Sequence, residues 1–128
     1  MIAPARATFL GTGTSHGVPM IGCDCAVCRS SDPRDGRLRP SIHVTADDGT
    51  SIVVDTTPDF RQQALRHDLR RVDAVLYTHT HADHILGLDE LRRYNHLTKR
   101  AVPLYGDAFT LAELQRVFAY AFDPAGPK

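Results

Sequence analysis

The chain has 128 residues, 42% of them hydrophobic and 23% charged, which suits a single globular domain. Its 15 basic and 15 acidic residues cancel, so no field of one sign recruits nucleic acid or an anionic membrane surface. No apolar run approaches the roughly 20 residues of a membrane span, and the opening Met1-Ile2-Ala3-Pro4-Ala5-Arg6 lacks the basic head and long apolar stretch of a signal peptide. A cytoplasmic location is the expectation. The three cysteines, Cys23, Cys25 and Cys28, form an odd, tight cluster. That is a poor disulfide framework, and it points to metal in a reducing compartment.

In chain order, Ala7-Thr8-Phe9-Leu10 reads as a strand that feeds the glycine-rich turn Gly11-Thr12-Gly13-Thr14-Ser15. Residues 17–40 form a long loop rich in Gly, Pro, Asp, Ser and Arg, with the cysteines inside it. A loop of that length needs a tie other than a core, and a metal ion would serve. Residues 41–46 and 51–55 alternate around the turn Asp47-Asp48-Gly49-Thr50, which predicts a β-hairpin. Asp59 to Leu69 carries a helical pattern behind Pro58.

Val72 to Tyr77 is a buried strand that runs into residues 78–84. A helix is then expected from about Asp83 through Leu86, Leu88, Leu91 and Tyr94. Val102-Pro103-Leu104-Tyr105 reads as a short strand, at an edge or at a strand start because of its proline. The last helix is expected from Thr110 to Phe122, with Leu111, Leu114, Val117, Phe118, Ala121 and Phe122 on a broad apolar face. A breaker-rich tail follows from Asp123. Strands mixed with helices favour an α/β layered class.

His79-x-His81-x-Asp83-His84 carries the chemistry. Side chains two apart on extended backbone point the same way, so His79 and His81 can grip one ion. Asp83 and His84 come where the chain turns into a helix, and they can aim at a second ion. Imidazole with carboxylate suits zinc, manganese, iron or nickel. Two such ions, about 3.5–4 Å apart, would activate a water and clamp an oxyanion. Asp83 could instead cap the following helix. That alternative does not explain three histidines and an acid in six residues directly after a buried strand. In the loop, Cys23-x-Cys25-x-x-Cys28 offers three of the four ligands that a structural zinc takes.

Thr78-His79-Thr80-His81-Ala82-Asp83-His84 resembles the HxHxDH signature of metallo-β-lactamase-fold hydrolases. Gly11-Thr12-Gly13-Thr14-Ser15, Gly17-Val18-Pro19, the cysteine run, Arg37-Leu38-Arg39 and the stretch from Asp55 to Arg61 are together similar to the PhnP-like branch of that superfamily. The resemblance implies a partial domain over residues 1–128, with a mixed sheet covered by helices on one face. This would be the N-terminal half of an αββα sandwich. It implies hydrolysis of cyclic or small phosphodiesters at a dinuclear centre, with zinc or manganese on His79, His81, Asp83 and His84. Asp83 would have the nearest thing to a catalytic role, beside the activated water. A separate structural zinc would sit on Cys23, Cys25 and Cys28, and Asp55 would orient the histidine loop from behind.

The superfamily's remaining ligands come from a second half that this chain does not contain. Two protein contacts per ion are few for a retained catalytic metal. The uncovered sheet would also present an apolar face to solvent. A fragment is therefore expected, paired with a C-terminal half or with a second copy. Other hydrolases of esters or thioesters, a protein of the PQQ-biosynthesis type, and a non-catalytic metal-binding remnant stay open as alternatives. His96, His43 and His67 read as surface or helix-end residues. His16 reads the same way but lies nearer the cysteine loop.

Overall fold

A computed structural model describes residues 4–125. Five strands form one sheet whose spatial order repeats the chain order: β1 (Ala5–Gly11), β2 (Ser41–Ala46), β3 (Ser51–Val54), β4 (Ala74–Leu76) and β5 (Leu104–Tyr105). β1, β2 and β3 pair antiparallel, and β3, β4 and β5 pair parallel. The expected hairpin is β2–β3. Its turn is closed by the Thr50 amide donating to Asp48 Oδ1 at 2.8 Å, and Gly49 takes the left-handed φ of +82° that the turn needs.

Strand pleating divides the sheet into two unlike faces. Val53 and Val75, neighbours in register, are fully buried under the helices, with Leu104 packed beside them. α1 (Phe60–Arg66) and α3 (Leu91–Thr98) supply Phe60, Leu91 and Tyr94 to this core. α4 (Ala108–Val117) supplies Leu114. The opposite face carries Phe9, Ile42, Val54, Leu76 and Tyr105 in one row across all five strands. Phe9, Leu76 and Tyr105 are 64%, 42% and 55% exposed, so among the described residues nothing covers this apolar row. The mixed sheet with helices on one face agrees with the sequence expectation.

Two expected helices are interrupted. The helix foreseen from Asp83 to Tyr94 breaks into α2 (Ala82–Ile85), a 3-10 turn (Leu88–Glu90) and α3. The cause is Gly87. Its amide donates to the Thr56 carbonyl at 2.9 Å, and a Cβ there would stand 2.1 Å from the Thr57 carbonyl oxygen and 2.8 Å from Phe60 Cβ. The helix foreseen from Thr110 to Phe122 begins earlier, at Ala108, because Asp107 caps it by accepting the Thr110 amide at 2.7 Å. It breaks at Phe118, after which α5 (Ala119–Phe122) follows. Leu114 and Phe118 are buried, whereas Val117 and Phe122 are 40% and 39% exposed, so the apolar face is narrower than the spacing suggested. No helix among the described residues is long and apolar enough to cross a membrane.

His43 lies half-buried on the helix-side face of β2, with Nε2 2.8 Å from Ser51 Oγ. Burial, with the charges of Arg6 and His67, pushes its pKa below the ordinary 6.5. A depressed histidine pKa means that the unfolded chain takes up this proton first. Stability that is full above pH 6.5 should therefore fall as pH drops below that value. Urea unfolding across this range should show the loss in the native chain and a flatter profile in His43→Gln. Gly87→Ala should cost about 1–3 kcal/mol by overpacking, read as a lowered urea midpoint; an unchanged midpoint would contradict the close approach.

Candidate metal centre

The topology gathers the site. β1, β3, β4 and β5 all run the same way, so the turns that follow them meet at one edge of the sheet. The glycine turn follows β1, residues 55–59 follow β3 and residues 77–84 follow β4. Open sheets place their ligands at such carboxyl ends.

Asp55 is the first residue past β3. It is 4% exposed and has φ +61°, a left-handed conformation unusual for a residue other than glycine. Such backbone costs about 1–3 kcal/mol and persists only where its surroundings over-determine it. Three hydrogen bonds do so here. Asp55 Oδ1 accepts the Thr78 amide at 2.8 Å. Oδ2 accepts the Thr78 hydroxyl at 2.7 Å and faces His84 Nδ1 at 2.7 Å. The carboxylate thus binds both ends of the histidine loop.

The four predicted ligands fall into two pairs. The His79 and His81 rings stand edge to face with centroids 4.6 Å apart. His84 Nε2 lies 3.2 Å from Asp83 Oδ2. The pairs adjoin, since the His79 and His84 centroids are 4.0 Å apart. Because Asp55 only accepts, His84 Nδ1 carries a proton, and in the neutral ring Nε2 presents a lone pair. That lone pair faces a carboxylate oxygen. Two electron-rich atoms so placed repel unless a proton or a cation lies with them, so the donor set fits a divalent ion.

The cysteines converge more tightly. Their sulfurs all lie within 4.8 Å of one another. A tetrahedral zinc with bonds of about 2.3 Å sets sulfurs about 3.8 Å apart, so a small contraction fits the group. Cys25 is lowered to about 7, first by the Cys28 amide and then by the Cys23 thiol. The Met20 amide pulls Cys28 down, but the neighbouring thiols and burial outweigh it and the net shift is upward. His16 shares a cavity of about 270 Å³ with Cys23 and Arg39, yet it is outside the cysteine group. His67 and His96 are exposed, and His43 is occupied with Ser51.

Three residues of this edge were given no role in the sequence reading, although Thr78 and Arg39 lie within the motifs quoted there. Thr78 bonds to both Asp55 and His79. Arg39 donates to Asp59 Oδ1 at 2.8 Å and to the Ser15 carbonyl at 2.9 Å, tying the base of the cysteine loop to the Asp55 turn and the glycine turn. Gln63, fully buried, donates to the Arg39 carbonyl at 2.7 Å and accepts from Thr57. Its place three residues after Phe60, on the apolar side of α1, was the one signal available for Gln63.

Residues 50–127 match the model of the beta-lactamase superfamily domain, and the chain belongs to that superfamily. The crystal structure of a new diphosphatase from the PhnP family superimposes with TM-score 0.86 at 57% identity, covering 92% of this chain and 47% of that one. An octanoyltransferase of Porphyromonas gingivalis is 44% identical over 117 residues, 91% of this chain and 23% of that protein. Zinc-bound PqqB from Methylobacterium extorquens superimposes with TM-score 0.72 at 27% identity, covering 86% of this chain and 40% of that one. The chain spans less than half the length of each of these relatives. The metallo-β-lactamase fold and the PhnP-family likeness read from the sequence are thereby borne out, and both support a hydrolase.

Replacing Asp55 with alanine should weaken divalent-metal binding at the histidine loop about 10–100-fold, as loss of a group that orients metal ligands does. Competition with a chromophoric chelator would measure it, and unchanged affinity would remove Asp55 from the centre.

Proposed function

We propose that these residues form the N-terminal half of a metal-dependent hydrolase that cleaves P–O bonds in small diphosphates or in cyclic and simple phosphodiesters. The observation that carries this reading is the donor set on one sheet edge, two neighbouring imidazoles beside an imidazole–carboxylate pair 3.2 Å apart. The relative at 57% identity, a diphosphatase, supports phosphorus as the centre attacked. His79 and His81 would hold one ion, and Asp83 and His84 the other. Bound there, two divalent ions, zinc or manganese, would supply a water made nucleophilic at neutral pH and a positive clamp for the phosphoryl oxygens.

The protein's own part is orientation. Asp55 holds the loop rigid from beneath, and the tied base of the cysteine loop keeps the Asp55 turn in place. Cys23, Cys25 and Cys28 would hold a structural zinc. None of these residues is assigned the proton for the leaving oxygen. The remaining ligands would come from a C-terminal half seated on the apolar row from Phe9 to Tyr105, or from a second copy of this chain.

One observation favours a second reading. The Porphyromonas relative is named for octanoyl transfer, and the matched segment is under a quarter of it. A hydrolase joined to acyl-transfer chemistry would act on an acyl ester or thioester.

Two experiments test these readings. Elemental analysis of protein purified without chelator should find metal, with His79→Ala and Cys25→Ala each removing a different share. Neither mutation changing the content would defeat both sites. In turnover assays, the 128-residue chain alone should show little activity, whereas the complete domain with its C-terminal half should hydrolyse a diphosphate or phosphodiester in a metal-dependent way. Hydrolysis of an octanoyl thioester in place of these would favour the second reading, and strong turnover by the short chain would overturn the shared-site view.

A further inference from the structure

We propose that Thr78 is a positioning residue of this centre, whose hydroxyl passes the orientation set by Asp55 on to His79 and locks that imidazole with Nε2 free. Its purpose rests on the metal-hydrolase reading, whereas its geometry does not.

A threonine hydroxyl has one proton to give. The Thr78 hydroxyl gives it to Asp55 Oδ2, 2.7 Å away, because a carboxylate only accepts. The same oxygen lies 2.9 Å from His79 Nδ1. With its proton spent, the hydroxyl can only accept there, so His79 Nδ1 must carry the hydrogen. In the neutral ring Nε2 is then bare. At His84 the same logic operates without an intermediary, since Asp55 Oδ2 meets Nδ1 directly at 2.7 Å. One buried carboxylate therefore sets the tautomer of two histidines, one by contact and one through a hydroxyl relay.

Both rings come out alike, Nδ1 protonated and Nε2 available, which is the state in which imidazole binds a cation. The His81 ring has no hydrogen-bond partner among the described residues, so nothing equivalent fixes it. The backbone takes part separately. The Thr78 amide bonds Asp55 Oδ1 whatever the side chain is, so that tie between the two turns survives loss of the hydroxyl.

The test is the protonation of His79, read by long-range proton–nitrogen NMR on the metal-free 128-residue chain, well above the ordinary titration range of imidazole. The native chain should show His79 protonated at Nδ1. Thr78→Val removes the hydroxyl at nearly constant shape and should move His79 to a tautomer mixture. Thr78→Ser keeps the hydroxyl and should restore the native pattern. Zinc affinity at the histidine loop should fall about 10-fold or more in Thr78→Val and recover in Thr78→Ser. A His79 proton found on Nε2 in the native chain overturns the proposal without any variant, and so does an unchanged tautomer in Thr78→Val. Failure of the metal reading looks different: a locked tautomer in a native chain whose histidine loop takes up no zinc.

Discussion

The buried carboxylate of Asp55 is the constraint around which this edge of the molecule is arranged. It sits at the end of β3 in a strained backbone conformation, and its three bonds all reach to the loop that follows β4. Parallel pairing of β3 with β4 makes this possible, because it brings the ends of both strands to the same level. Without the carboxylate, residues 78–84 would be a polar turn with three imidazoles free to rotate. With it, the His84 ring is held directly and the His79 ring through Thr78. Pre-organisation of this kind is what separates a metal site from a mere accumulation of ligand types.

A second set of bonds holds Asp55 in place. Arg39 clamps Asp59, four residues further along, while Gln63 secures Thr57 and the Arg39 carbonyl from within the core. Gly11 allows this contact, since a Cβ at that position would stand 2.1 Å from the Arg39 carbonyl oxygen. The base of the cysteine loop is therefore part of the scaffold beneath the histidine centre, although its sulfurs belong to a separate group.

The ligand types and their spacing were legible in the sequence because chemistry of that kind is local. His79 and His81 lie side by side just past β4, and the C-x-C-x-x-C run folds its sulfurs together within a few residues. Asp55 was legible as a strand-end acid. The strands were legible from alternation and turn chemistry. The relay through Thr78 and the Arg39–Asp59 clamp were hidden, because each joins segments 20 or more residues apart, and threonine and arginine are ordinary residues in a loop. Helix continuity failed for a related reason. The expected helix ran through Gly87 without a break, and only the approach of the Thr56–Thr57 backbone shows why it must stop there.

The sheet's spatial order has a consequence for how the molecule comes into being. Because strands one to five lie side by side in the order in which they occur along the chain, each new strand has its neighbour already waiting as it leaves the ribosome. No strand must be held open for a later one to insert between two others. The longest wait with no helix to shorten it is at the start, where β1 must meet β2 across the cysteine loop. Closing that gap costs chain entropy that grows only slowly with length, and a metal ion gripping three thiolates midway would shorten the search. The turns that follow β1 and β3 would thus be assembled early.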